Sequence, residues 1–115
     1  MPRPLVAGNW KMNTDLSEAI ELGTQFAQRI GVTKRVRTVI CPPSVFLSTL
    51  SNLLQGTGIA LGAQNMHPEL RGAFTGEIST TMIKQWCEFV ILGHSERRQL
   101  FSETDNFINL KVKTA

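Results

Sequence analysis

The chain contains no apolar run approaching the roughly 20 residues that a membrane-spanning helix needs, so no such helix is expected in its 115 residues. It has only two cysteines, Cys41 and Cys87, both in apolar runs. That is too few for a disulfide framework and fits buried free thiols in a reducing compartment. It has no low-complexity tract and no linker-like stretch. It has no basic stripe with interleaved aromatics either, so nucleic acid is not an expected partner. Asp15, Glu77 and Asp105 show no metal-ligand spacing with the two histidines, and no metal site is expected. The amino terminus, Met1-Pro2-Arg3-Pro4, leads straight into a short apolar run, with none of the features of a signal peptide. The expected location is cytoplasmic.

What is present describes a globular chain of at most one ordinary domain. Hydrophobic residues make up 42% and charged residues 18%, which separates it from disordered chains. A net charge of +3 and a pI of 9.2 allow an anionic ligand. Short apolar runs bounded by Gly or Pro predict strands over Leu5–Ala7, Arg37–Cys41, Ile59–Ala63 and Phe89–Leu92, covered on both sheet faces. Between them, helical spacing of Leu16, Ala19, Ile20, Gly23, Phe26, Ala27 and Ile30 predicts a helix from Ser17 to Ile30. Asp15 would cap it and Gly31 would end it. Pro43 suits the first turn of a second helix with Phe46, Leu47, Leu50, Leu53 and Leu54 on one side. Ser79 would cap a third, with Met82, Ile83 and Trp86 facing inward. Thr104 would cap a last one reaching Thr114. Strand–helix–strand repetition at about 30 residues is the βαβ unit of a parallel sheet. The stretch Gln64–Gly76 is long for a connection in a compact domain, and such loops are usually functional.

Parallel strands put their carboxyl ends on one face. Asn9, Lys11, Gln64, Asn65, His94, Ser95 and Glu96 all fall just past predicted strand ends, so they are expected to meet there. His94 follows Phe89-Val90-Ile91-Leu92-Gly93 and opens a helix, whose amino terminus disfavours a positive ring. A neutral imidazole could donate to a substrate oxygen. It could equally serve only as a helix cap. Lys11 could bind an anion or offset a developing enolate charge, or be a surface lysine. Glu96 is a general base by type, but pairing with Lys11 would make it a positioning residue. Ser95 is a poor nucleophile candidate, because His94 next to it in sequence is not placed to face it. Arg97 and Arg98 are expected to form ion pairs, with Glu103 or Glu77 as partners. His67, in the long loop, is expected to be solvated.

The segments Ala7-Gly8-Asn9-Trp10-Lys11-Met12-Asn13, Cys41-Pro42-Pro43, Gly62-Ala63-Gln64-Asn65, Gly72 to Ser79 and Val90 to Arg98 together resemble the triosephosphate isomerase family, in the family's order and from end to end of the chain. The resemblance implies an α/β fold of the (β/α)8 TIM-barrel family. Only the first four βα units would be present, making residues 1–115 the amino-terminal half of one barrel domain. It implies interconversion of dihydroxyacetone phosphate and D-glyceraldehyde 3-phosphate, a step of glycolysis and gluconeogenesis, with no cofactor. The lysine matching Lys11 binds substrate and offsets enediolate charge, and the asparagine matching Asn9 orients the site. The histidine matching His94 is the electrophile, and this family is itself the established example of a histidine kept neutral by a helix terminus. The resemblance further implies a homodimer. The loop from Gln64 and Asn65 to Gly76 would enter the partner, with Thr75 near the partner's site and Glu77 pairing with Arg97 across the interface.

Two departures stand out. The segment Gln85-Trp86-Cys87-Glu88-Phe89 lacks a glycine that family members often carry and is a residue shorter, which predicts a local adjustment. A complete barrel takes roughly 250 residues, and the family's catalytic carboxylate base, closing lid and remaining phosphate-binding amides come after the sixth, seventh and eighth strands. The 115 residues alone are therefore expected to be inactive. The alternative is a non-catalytic half-barrel that complements another half. An unrelated phosphate-binding βα module is disfavoured by the motif set.

Overall fold

The computed structural model describes residues 2–30 and 35–115. The chain runs β1 (Leu5–Asn9), α1 (Leu16–Arg29), β2 (Arg37–Cys41), a short 3-10 turn (Ser44–Phe46) continuing into α2 (Leu47–Leu53), β3 (Ile59–Ala63), α3 (Thr80–Ile83), β4 (Cys87–Val90), α4 (Ser95–Leu100) and α5 (Asp105–Thr114). The strands form one sheet in sequence order, β1-β2-β3-β4, and every neighbouring pair is parallel. This is the βα alternation expected of half a barrel.

Local chemistry accounts for the boundaries. Asp15 accepts the Glu18 amide while the Glu18 side chain accepts the Asp15 amide, a reciprocal cap that starts α1. Gly31, expected to end that helix, lies outside the described residues. Thr104 caps α5 by accepting the Phe107 amide. Ser79 precedes α3 as expected but does not cap it, because its hydroxyl pairs with that of Thr81. Pro43 leads into the 3-10 turn and not directly into an α-helix.

The core lies between the sheet and the helices. Ala19 of α1, Leu47 and Leu50 of α2, and Ile40, Ile59, Leu61 and Ala63 of the sheet are buried together, with Trp10, Leu54, Met66 and Ile83. Alternation along β2 turns Val39 and Cys41 to the opposite face. There Gly62 is required: a Cβ on it would come within 2.6 Å of Cys41 Sγ and 3.3 Å of Val39 Cγ1. β3 and β4 keep register through Leu61↔Cys87 and then shift to Gly62↔Phe89, so Glu88 is passed over. This irregularity falls in the segment whose family pattern is a residue longer. Glu88 turns outward and takes an ion pair from Arg37 at 3.1 Å.

Several expectations need correction. β1 extends to Asn9, while β4 starts at Cys87 and stops at Val90, earlier than Phe89–Leu92. β1 is not covered on both faces: Leu5 and Val6 are exposed, because β1 lies at the sheet edge, where among the described residues only β2 flanks it. On the helices, Leu16, Ile20 and Met82 are exposed. They share the apolar spacing of the inward stripes, but none of the described elements covers them.

Candidate active site

The carboxyl ends of the strands open onto one groove of about 490 Å³. Asn9, Lys11, Gln64, Asn65, Glu77, His94, Glu96 and Arg97 all line it, although β1 and α4 are far apart in sequence. Thr75 does not; it sits exposed on the long loop.

Lys11 dominates the electrostatics. Its Nζ lies 2.5 Å from Glu96 Oε1. This hydrogen bond, reinforced by the charge of Lys11 and opposed by partial desolvation, holds the Glu96 carboxyl below the usual carboxylate range. A carboxylate held in this way is a positioned partner for the ammonium and a weak base. The Lys11 amide donates to Asn9 Oδ1 at 2.9 Å, so Asn9 organises the turn after β1. Gln64 Nε2 donates to the carbonyls of Lys11 and Cys41, each at 2.9 Å.

His94 caps α4. Its Nδ1 accepts the Glu96 amide at 3.0 Å. A nitrogen that accepts an N–H has a free lone pair, so the ring proton sits on Nε2. The cap therefore selects a tautomer and leaves Nε2–H as the donor.

A second cluster lies behind the groove. Lys111 of α5 is fully buried, a fate that long cations rarely meet unpaired. Its Nζ donates to Glu103 Oε2 at 2.6 Å and Asn65 Oδ1 at 2.8 Å, and lies 4.7 Å from the centre of the Phe107 ring. Arg97 Nε donates to the same Glu103 oxygen at 2.8 Å. Burial works to raise the Glu103 pKa, but the hydrogen bonds and charges of Lys111 and Arg97 outweigh it, and the net direction is down. Arg97 thus takes Glu103, one of its two expected partners, and Arg98 takes Asp105 at 2.5 Å. The sequence reading missed Lys111. Its signal was present: Lys111 falls three residues after the buried Ile108 on the inward stripe of α5.

His67 corrects another expectation, for it is buried and not solvated. Its Nδ1 accepts the Glu69 amide at 3.1 Å, and its ring packs against Phe74 at 4.2 Å between centres. The long loop folds back on itself and encloses the ring. Cys41 is buried and Cys87 half-buried, and both are free thiols. Among the described residues, no three His, Cys, Asp or Glu side chains gather to hold a metal ion.

Comparison with known proteins now bears on this geometry. The family model described as triosephosphate isomerase matches residues 4–115. Proteins named triosephosphate isomerase from Alkaliphilus oremlandii and Herpetosiphon aurantiacus are 52% and 50% identical to the chain, and the one from Endomicrobium trichonymphae is 47% identical. Each comparison covers all of this chain but 46% of the relative, so the chain spans about half the length of the curated relatives it matches. A match that begins before β1 and runs through α5, with about half of all positions identical, leaves one conclusion: the chain belongs to the triosephosphate isomerase family.

Proposed function

We propose that these residues form the amino-terminal half of a barrel domain whose complete form interconverts dihydroxyacetone phosphate and D-glyceraldehyde 3-phosphate through an enediolate. The observation that carries this reading is the meeting of Lys11, Asn9 and the Nε2–H tautomer of His94 around one groove. Lys11 would bind the anionic substrate and offset the negative charge that develops on the enediolate oxygen. His94 Nε2–H would donate to the carbonyl oxygen and pass a proton between the two oxygens. Glu96 would hold the ammonium in place through its 2.5 Å contact.

Among the described residues, no carboxylate lining the groove is well suited to take the carbon proton. Glu96 is committed to Lys11, and Glu77 lies just past the end of the long loop. General acid–base catalysis contributes about 10²–10⁴-fold, so the 115 residues by themselves are expected to be essentially inactive. The protein is proposed to act in the cytoplasm as a homodimer, with Gln64, Asn65, Thr75, Glu77 and Arg97 facing the partner. Exposure of Leu5 and Val6 on edge strand β1 supports a second reading, a non-catalytic half that complements another half.

The test joins residues 1–115 to the remaining carboxyl-terminal part of the Herpetosiphon aurantiacus relative and assays triose phosphate interconversion. The hybrid should turn over and the 115-residue chain should not. An inactive but folded hybrid would reject the isomerase reading, and full turnover by the short chain would reject the missing-base argument.

A further inference from the structure

Lys11 does not adopt a comfortable backbone. Its φ is +57°, in the left-handed region that residues with a Cβ rarely occupy. No glycine relieves the position, so other groups must hold it. Both of its peptide groups are held by side chains from strand ends. Asn9 Oδ1 accepts the Lys11 N–H, and Gln64 Nε2 donates to the Lys11 carbonyl, each at 2.9 Å. The same Gln64 nitrogen donates to the Cys41 carbonyl at 2.9 Å, and that carbonyl also accepts the Trp10 amide at 3.0 Å. One nitrogen just past β3 thus ties the end of β2 to the turn that carries Lys11.

The residue type matters. A primary amide nitrogen carries two hydrogens, and the two carbonyls use both. Glutamate would present only acceptors to those carbonyls, and methionine would present neither donor. The clamp is also uncharged, so it does not compete with Glu96 for the ammonium.

We propose that Gln64 is a positioning residue for Lys11: its amide fixes the left-handed turn at residue 11 and thereby sets where the ammonium stands in the groove. The proposal rests on the isomerase reading above. Gln64 itself touches no substrate. Without the clamp, residue 11 relaxes toward a right-handed or extended backbone, its side chain swings, and the contact with Glu96 loosens.

The test uses the hybrid enzyme with ¹³C-labelled lysine, in Gln64→Met and Gln64→Glu forms. Both should move the Lys11 Cα resonance away from its left-handed value. Both should raise KM by about tenfold or more, with a smaller loss in kcat. A Cα resonance that stays left-handed in both variants, or a KM unchanged while only thermal stability falls, overturns the proposal. The resonance decides the matter even if the unsubstituted hybrid is inactive, an outcome that would reject the isomerase reading alone. A double-mutant cycle covers poor folding. Lys11→Gly removes the backbone strain, so Gln64→Met should cost less stability in that background. An equal cost in both backgrounds also overturns the assignment.

Discussion

Lys11 of the turn after β1 and Glu96 of α4 meet at 2.5 Å across 85 residues of sequence. The pair couples the first and last strands of the sheet, and its chemistry gives a pH expectation. The folded Glu96 carboxyl lies below its ordinary value, mainly through the Lys11 hydrogen bond. A lowered carboxyl pKa contributes stability that is present above the unfolded value and is lost as pH falls through the folded one. The pair should therefore survive neutral and mildly acid conditions and break below the usual carboxylate range. In a ¹³C-carboxyl titration, Lys11→Met should move the Glu96 midpoint up towards that range. An unmoved midpoint would show that Lys11 is not the cause.

The buried cluster around Lys111 predicts a large stability effect. Glu103→Leu removes the only carboxylate that, among the described residues, pairs with the fully buried ammonium, and it takes away the carboxylate that Arg97 pairs with. Leaving a buried charge uncompensated costs about 3–5 kcal/mol. Urea unfolding should register a loss of that order. A loss below about 1 kcal/mol would mean that Asn65 and Phe107 already suffice to hold the ammonium. Because the Glu103 carboxyl is also lowered on balance, its contribution should fade only as pH drops below the ordinary carboxylate range.

These two pairs mark how far the sequence could be read. The strands at Arg37–Cys41 and Ile59–Ala63 were legible because their apolar runs are bounded by Pro42 and by Gly58, and the meeting of Asn9, Lys11 and His94 followed from parallel strands alone. The Lys11–Glu96 contact was legible as one of two roles for Glu96. What hid was whatever depended on a long-range neighbour. Met82 shares a stripe with buried Ile83 yet none of the described elements covers it, and His67 is buried by Phe74 folding back seven residues later. Lys111 was hidden because periodicity arguments assign lysines to the solvent face, whereas its partners come from α4's exit and the end of β3.

Backbone strain gives a stabilising prediction. Ser102 has φ +57° and Thr14 has φ +78°, and Thr14 Oγ1 is also buried without a hydrogen-bond partner. The left-handed region costs a residue with a Cβ about 1–2 kcal/mol, against about 0.5–1 kcal/mol of extra chain entropy for glycine. Ser102→Gly should raise stability by about 0.5–1 kcal/mol, and Thr14→Gly by somewhat more because it also removes the unpaired hydroxyl. Thermal unfolding would show both as upward shifts in Tm. A fall in Tm for Ser102→Gly would mean that the hydroxyl makes a contact worth more than the strain.

The thiols supply the last prediction. Burial pushes the Cys41 thiol up, and burial together with the neighbouring Cys41 pushes Cys87 to about 11. The thiolate is the reactive form, so at pH 8 only on the order of one Cys87 in a thousand is nucleophilic at any moment. Titration with a chromogenic disulfide should find both cysteines slow in the folded protein and fast in denaturant. Cys87 is only half-buried, so the reagent can approach it, and a rise in its rate between pH 9 and 11 would report the raised pKa directly. Rapid labelling at pH 7 would instead require that β4, the edge strand carrying Cys87, detach from β3 on the time scale of the reaction.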